Sequence, residues 1–417
     1  VAARNFLVIG AGKAGCHAAE AIRAADPSGK VILVGQEAHP PYERPPLSKD
    51  LLLDDGSGIA DILVRPPREF SDKGIDLRLS TRVTRLELAR HVAHTDQGAI
   101  PYDRVLIATG ARPRSLPQAR GLSAERVHHL RTFEDAQRLR HRLRDGIRIV
   151  VIGAGLIGLE VAAAARARGC EVTVIERSGK VAARVACDEV ANALLDLHRD
   201  NGVKFLLHTC IEAMEERGRE VVLTLEDGSE TRADAVLVSI GVEADDEPAR
   251  EAGLDTHDGI RTDEYGRTSH PDVFAAGDVA WSWHPVYQRH LRSESWQTAL
   301  AQARVVAGNM AGGGEPYLDI PVQWSSQNGK LLHCAGSSDG CDLTLGCGDI
   351  EAFAGAVYFF KDRCLRAVQG FSIGREVRAA IRLIAAQKSI PSRMLDEGFD
   401  PVAAAKAGSR GELACPT

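Results

Sequence analysis

The sequence predicts an α/β protein with two Rossmann-like dinucleotide-binding domains followed by a C-terminal α+β domain, on three observations. Gly10-Ala-Gly12-Lys-Ala14-Gly15 stands between an apolar run and an alanine-rich stretch. A similar arrangement returns at Gly153-Ala-Gly155-Leu156-Ile157-Gly158. From about Pro321 the texture changes to short apolar runs separated by Gly/Asp turns, the pattern of an antiparallel sheet. At 417 residues the chain is long enough for two or three cores.

Asn5 to Ile9 reads as a strand and the stretch up to Ala25 as a helix. The glycines between them have separate tasks: Gly10 makes the tight turn, Gly12 lets backbone approach a pyrophosphate, and Gly15 lets the helix pack closely. The helix N-terminal amides face the phosphate charge. A second strand, Val31 to Val34, leads to Glu37, a carboxylate placed to accept hydrogen bonds from an adenosine ribose.

The second unit repeats this order. Ile147 to Ile152 is a strand, a helix is expected from about Leu159 to Arg168, and the strand Glu171 to Ile175 ends at Glu176. Two such units imply two dinucleotides. A carboxylate at Glu176 favours the free 2′-hydroxyl of NADH over the 2′-phosphate of NADPH, with Arg177 beside it acting in the opposite sense. Glu160 is expected on the first turn of the helix, either near the nicotinamide end or as a partner of the helix dipole.

Two further segments carry a resemblance. Val105-Leu-Ile-Ala108-Thr109-Gly110 runs from a strand into a glycine turn, and Asp272-Val-Phe-Ala-Ala-Gly277-Asp278 comes much later. Here the chain resembles the pyridine-nucleotide disulfide reductase superfamily. The resemblance implies FAD at the first unit and NADH at the second, with Asp278 on the ribityl chain. Pro41-Tyr-Glu-Arg44-Pro-Pro-Leu-Ser-Lys49 is similar to a segment of the ferredoxin reductases of bacterial ring-hydroxylating dioxygenase and cytochrome P450 systems. By that resemblance Arg44 and Lys49 face FAD, where disulfide-reducing relatives carry cysteines. As cations they suit pyrophosphate or ribityl oxygens and a charged flavin.

Ala14, Val83, Arg131 and Trp296 also fall where the family contacts FAD; Leu156, Ile157, Arg184, Ile240 and Gly241 fall in its NADH region. Trp296, within Arg292-Ser-Glu-Ser-Trp-Gln, has the flat face to stack on a flavin, though a buried indole with a bonded N–H is the plainer role. Trp324 and His333 could lie near the flavin rim, but a sheet-core tryptophan and a hydrogen-bond-satisfied histidine are the favoured readings. Relatives commonly show Trp-Ser-Asp-Gln where this chain has Trp324-Ser-Ser326-Gln327.

The expected organisation is residues 1–110 and 244–320 for FAD, 111–243 for NADH, and 321–417 for the C-terminal domain. Composition is 44% apolar with net charge −6, so no nucleic-acid partner is indicated. The nine cysteines include no Cys-x-x-Cys pair and no zinc-ligand spacing, so no metal is expected; Cys16, inside the first loop, is read as a packing residue. No apolar run approaches a membrane span and no leader precedes the first strand, which points to the cytoplasm.

These readings converge on hydride transfer from NADH to FAD, then single-electron delivery to a small acidic [2Fe–2S] ferredoxin. Positioning is the main protein contribution, supported by Lys49, Glu160 and Trp296, with no nucleophile or general base. The protein is expected as a monomer or homodimer. Arg289, His290 and Arg292 are candidates for a cationic edge toward that ferredoxin, or for a solvated run. The rivals are an NADH oxidase or peroxidase, a rubredoxin reductase, and an NADH-sensing interaction protein resembling apoptosis-inducing factor.

Overall fold

The computed structural model describes residues 3–396 and 398–413. The chain divides into two compact units. The first takes in the chain up to Arg44, then Gly58–Arg112 and Val242–Pro321; the second takes in Pro45–Ser57, Pro113–Gly241 and the chain from Val322 onward. Compactness thus groups residues 45–57 with the second unit, and gathers the C-terminal sheet into that unit too.

In the first unit five parallel strands lie in the order Val273–Ala275, Arg104–Ile107, Asn5–Ile9, Lys30–Val34, Ile75–Arg78. Near-continuous apolar runs build it because a parallel sheet is covered on both faces. Phe6 and Val8 point into one core with Cys16 and Ile22 of the helix Lys13–Ala25, while Leu7 and Ile9 point into another. The chain order reverses beside Asn5–Ile9, and the crevice at the carboxyl ends of such strands is where α/β sheets bind ligands.

The second unit repeats the plan: Lys204–Leu206, Glu171–Ile175, Arg148–Ile152, Ala235–Val238 and Val127–His128, again all parallel. The helix after its glycine loop runs Leu156–Ala167, three residues earlier than expected. Gly155 is itself the N-cap, so Leu156 and Ile157 already belong to the helix. From Val322 onward, five antiparallel strands lie in the order Val322–Gln327, Lys330–Gly336, Cys364–Phe371, Ala354–Lys361, Leu343–Asp349, with the helix Gly374–Ala386 against them. That matches the expected sheet with its helix.

Candidate active site

The two glycine loops solve one steric problem in the same way. Gly10 and Gly153 have φ of +109° and +100°, which favours glycine. A Cβ on Gly10 would lie 2.2 Å from the Ala108 carbonyl oxygen, and one on Gly153 would lie 2.4 Å from that of Ser239. A Cβ on Gly15 would stand 1.8 Å from the Gly10 oxygen; on Gly158, 2.3 Å from the Gly153 oxygen. The middle glycines differ: a Cβ on Gly12 or Gly155 would meet nothing within 4 Å. Both cap the following helix. The backbone therefore leaves open space at the helix N-terminus, which fits a pyrophosphate held by amides. The residues present therefore suit a dinucleotide at each loop.

Around the first loop the expected residues converge. Ala108 and Thr109 pack on Gly10, the Thr109 hydroxyl donates to the Asp245 carbonyl at 2.7 Å, and Gly110 turns with φ of +79°. A Cβ on Gly277 would lie 3.0 Å from that of Ala14. Glu37 accepts from Arg44 at 2.8 Å and from the Tyr42 hydroxyl at 2.5 Å, and Asp278 acts electrostatically on Arg44. Trp296 is 36% exposed; its indole N–H donates to Glu43, and the Lys13 ammonium lies 4.0 Å from its ring centroid. Lys13 also pairs with Glu43 at 2.5 Å. The indole N–H is bonded while the ring is partly exposed, so both alternatives stay open, and Lys13 and Glu43, not singled out by the sequence reading, complete its setting. Val83 opens the strand Val83–Glu87 and is buried. Burial pushes the Cys16 thiol up to about 12, which suits its packing role.

Around the second loop, Ile240 lies against Gly153, and Gly241, with φ of +95°, stands near Arg184 and Arg114. The Glu176 carboxylate accepts from the backbone N–H of Ala154 at 2.9 Å and of Ser178 at 2.8 Å. Arg177 follows it, exposed. Arg131 lies in this unit, its backbone N–H donating to Asp135 at 3.0 Å.

Glu160 departs from expectation. It sits on the second helical turn, not the first, and is 4% exposed. It is no dipole partner: its Oε2 is 2.7 Å from the Lys49 ammonium and accepts from the Ser48 hydroxyl, while Oε1 accepts from Ser325 at 2.5 Å. The Lys49 segment is fastened by a residue the sequence reading missed, Arg140, whose guanidinium donates to the carbonyls of Leu51, Asp54 and Ser57. Trp324 is half-buried rather than in the sheet core, its ring centroid 5.3 Å from the Lys49 ammonium. His333 pairs in register with Trp324, and burial lowers its pKa.

Of the three candidates for a cationic edge, Arg289 is half-buried, and His290 and Arg292 are engaged within the fold. The Arg292 side chain is 4% exposed and neutralised by Asp258 at 3.1 Å and Glu294 at 2.8 Å. His290 stacks on Trp281 at 4.5 Å, and burial pushes its pKa down. A buried arginine paired with two carboxylates adds no net positive charge to a surface. Among the described residues no group of His, Cys, Asp and Glu could hold a metal ion, and no helix is long and apolar enough to cross a membrane. Eight cysteines are free; Cys415 lies outside the described residues.

Comparison with known proteins agrees with this geometry. Residues 4–303 match the model of the pyridine nucleotide-disulphide oxidoreductase family, and residues 322–403 match a reductase C-terminal domain. The chain is 38% identical over 390 residues to the ferredoxin–NAD(+) reductase component of the anthranilate 1,2-dioxygenase system of Burkholderia cepacia, covering 93% of this chain and 95% of that one. It is 36% identical over 399 residues to rhodocoxin reductase of Rhodococcus erythropolis, covering 95% and 93%. The crystal structure of a covalent putidaredoxin reductase–putidaredoxin complex superposes with a TM-score of 0.93 at 32% identity, covering 99% of this chain and all of that one. Two open-centred glycine loops on matching parallel sheets, a cysteine-free segment at Lys49 and matches across both parts of the chain lead to one conclusion: the chain belongs to the pyridine nucleotide-disulphide oxidoreductase family.

Proposed function

We propose that this chain is a FAD-dependent NADH:ferredoxin reductase, passing electrons singly to a small [2Fe–2S] ferredoxin that serves an oxygenase. The observation that carries the reading is the pair of glycine loops whose middle glycines face open space, one for each nucleotide. The reductase components of dioxygenase systems among the relatives, and the putidaredoxin complex, support the choice of acceptor. Bound FAD supplies the conversion of a two-electron hydride into single electrons.

The chain's own residues bind and orient. In this reading residues 1–110 and 244–320 hold FAD, residues 111–243 hold NADH, and residues 321–417 form the C-terminal α+β domain. Gly12 and Gly155 admit the two pyrophosphates, Glu37 and Glu176 accept from the adenosine riboses, and Arg44 and Asp278 address the ribityl and phosphate oxygens. Lys49 brings a cation to the flavin, oriented by Glu160. Glu176 has backbone amides rather than a cation on its carboxylate, which supports NADH over NADPH. With no transmembrane helix among the described residues, the cytoplasm is the proposed location.

Anaerobic stopped-flow absorbance is the test. The FAD-loaded protein is mixed with NADH and then with a [2Fe–2S] ferredoxin. Rapid bleaching of the flavin band followed by fast ferredoxin reduction is expected. Bleaching that persists, with slow transfer to several ferredoxins, would overturn the reductase reading in favour of a redox-sensing role.

A further inference from the structure

The second unit contains one continuous row of buried polar side chains that nucleotide binding does not require. His198, on the helix Asp188–Asp200, is fully buried, and its Nε2 lies 2.7 Å from Oε1 of Gln327. Gln327 donates from Nε2 to the Ser325 hydroxyl at 2.8 Å. Ser325 donates in turn to Oε1 of Glu160 at 2.5 Å, and the other oxygen of Glu160 receives Ser48 and Lys49. None of His198, Gln327, Ser325 and Glu160 is more than 4% exposed.

Valence sets the direction of the row. An amide nitrogen can only donate, so the Ser325 oxygen accepts there and its single proton is left for Glu160. An amide oxygen can only accept, so His198 must carry its proton on Nε2. Its Nδ1, buried and without a hydrogen-bond partner, is then a bare lone pair. All three donors therefore point toward one carboxylate. The same strand, Val322–Gln327, also holds Trp324 5.3 Å from the Lys49 ammonium, so consecutive residues reach both halves of the ion pair. Burying a serine, a glutamine and a histidine gains no stability over apolar side chains of similar volume, and a half-satisfied row would be worse. A unidirectional row, satisfied at every atom but the terminal His198 Nδ1, does fix the orientation of the carboxylate at its other end.

We propose that Ser325, Gln327 and His198 are positioning residues, which hold the Glu160 carboxylate, and through it the Lys49 ammonium, in one orientation for the hydride-transfer step. This rests on the reading above that Lys49 and Glu160 serve the flavin site. Glu160 then has a fixed acceptor geometry on both oxygens, and Lys49 cannot swing away without leaving an unpaired buried carboxylate.

Two measurements on the FAD-loaded protein test it. In 15N-histidine NMR at neutral pH, His198 is expected as the neutral tautomer protonated on Nε2. The tautomer protonated on Nδ1 would reverse the glutamine and serine donors, deprive Glu160 of its Ser325 bond, and overturn the proposal. In anaerobic stopped flow, Ser325→Ala is expected to slow flavin reduction about tenfold, with NADH affinity held within about twofold and the flavin midpoint potential displaced. Ser325→Thr, which keeps the hydroxyl, should restore the rate and the potential. Wild-type values for Ser325→Ala beside altered values for Lys49→Ala would overturn the positioning role alone. Wild-type values for Lys49→Ala as well would overturn the flavin-site reading of the pair, and the positioning role with it.

Discussion

The two glycine loops share a backbone and differ in what surrounds it. At the first, the helix opens with Lys13, which pairs with Glu43 and lies under Trp296, while Glu37 is gripped by the side chains of Arg44 and Tyr42. At the second, Leu156 and Ile157 take the matching positions, Ile157 is 46% exposed, and Glu176 is held by backbone amides alone. One loop is strapped by charged and aromatic side chains from other segments, while the other opens its helix with apolar residues and is tied through backbone, Ala182 donating to the Ala154 carbonyl at 2.8 Å. That is the distinction expected between a nucleotide that stays and one that must leave in every turnover.

The strongest way to break this comparison is at the glycines. Gly15→Ala should cost about 4 kcal/mol and abolish FAD retention, because the clashing atom is a backbone oxygen that cannot move aside. Gly158→Ala should do the same to the second unit. Gly12→Ala and Gly155→Ala should leave the melting temperature almost unchanged yet weaken FAD and NADH respectively. Thermal melts with flavin content and NADH titration separate the cases, and equal losses of stability at all four glycines would remove the division of labour.

The sheets differ at their matching edge strands too: Val273–Ala275 is wholly apolar, whereas Val127–His128 carries a buried histidine whose pKa burial lowers to about 4. Unfolded, it would titrate near 6.5, so between these values the unfolded chain binds more protons and stability rises with pH. The contribution is complete above about pH 6.5 and lost on acidification toward 4, amounting to about 3 kcal/mol. Amide exchange at Val236 and Leu237, which pair with this strand, should accelerate over that window, and His128→Leu should flatten the dependence.

Removing the two loop-associated lysines contrasts a buried pair with a more exposed one. Lys49→Ala strands the buried Glu160 and should cost about 3 kcal/mol in urea unfolding, together with slower flavin reduction. Lys13→Ala should cost about 1 kcal/mol and speed FAD loss only modestly. Glu176→Ala is expected to erase the preference for NADH over NADPH, a change of about tenfold in relative kcat/KM; a wild type that prefers NADPH would refute the ribose reading. The smallest effect is expected from Trp296→Phe, which loses the donor to Glu43 at a partly exposed site and should change FAD affinity by about 1 kcal/mol.

Sequence reading reached what is local. A glycine turn between an apolar run and an alanine-rich helix has a short-range signature, and so do Glu37 and Glu176 at strand ends. It misjudged whatever depends on distant partners. Glu160 reads equally as a nicotinamide-side residue or a helix-dipole partner because Lys49 lies more than a hundred residues earlier and Ser325 still further along the other way. Arg292 read as a surface cation because Asp258 and the fold that buries it leave no mark beside it in the sequence. The carbonyls that Arg140 fastens have no side-chain pattern at all.

The partition of the chain bears on how the protein is made. The polypeptide passes from one compact unit to the other at residues 44–45, 57–58, 112–113, 241–242 and 321–322. A ribosome that has released residue 240 has delivered all five strands of the second parallel sheet but none of the strand Val322–Gln327 that supplies Ser325 to Glu160, and the first unit still lacks Val273–Ala275 at its sheet edge. Neither unit is complete at that stage: one sheet keeps an open edge that a neighbour could pair with, and the other unit waits for its C-terminal segment until the final quarter emerges.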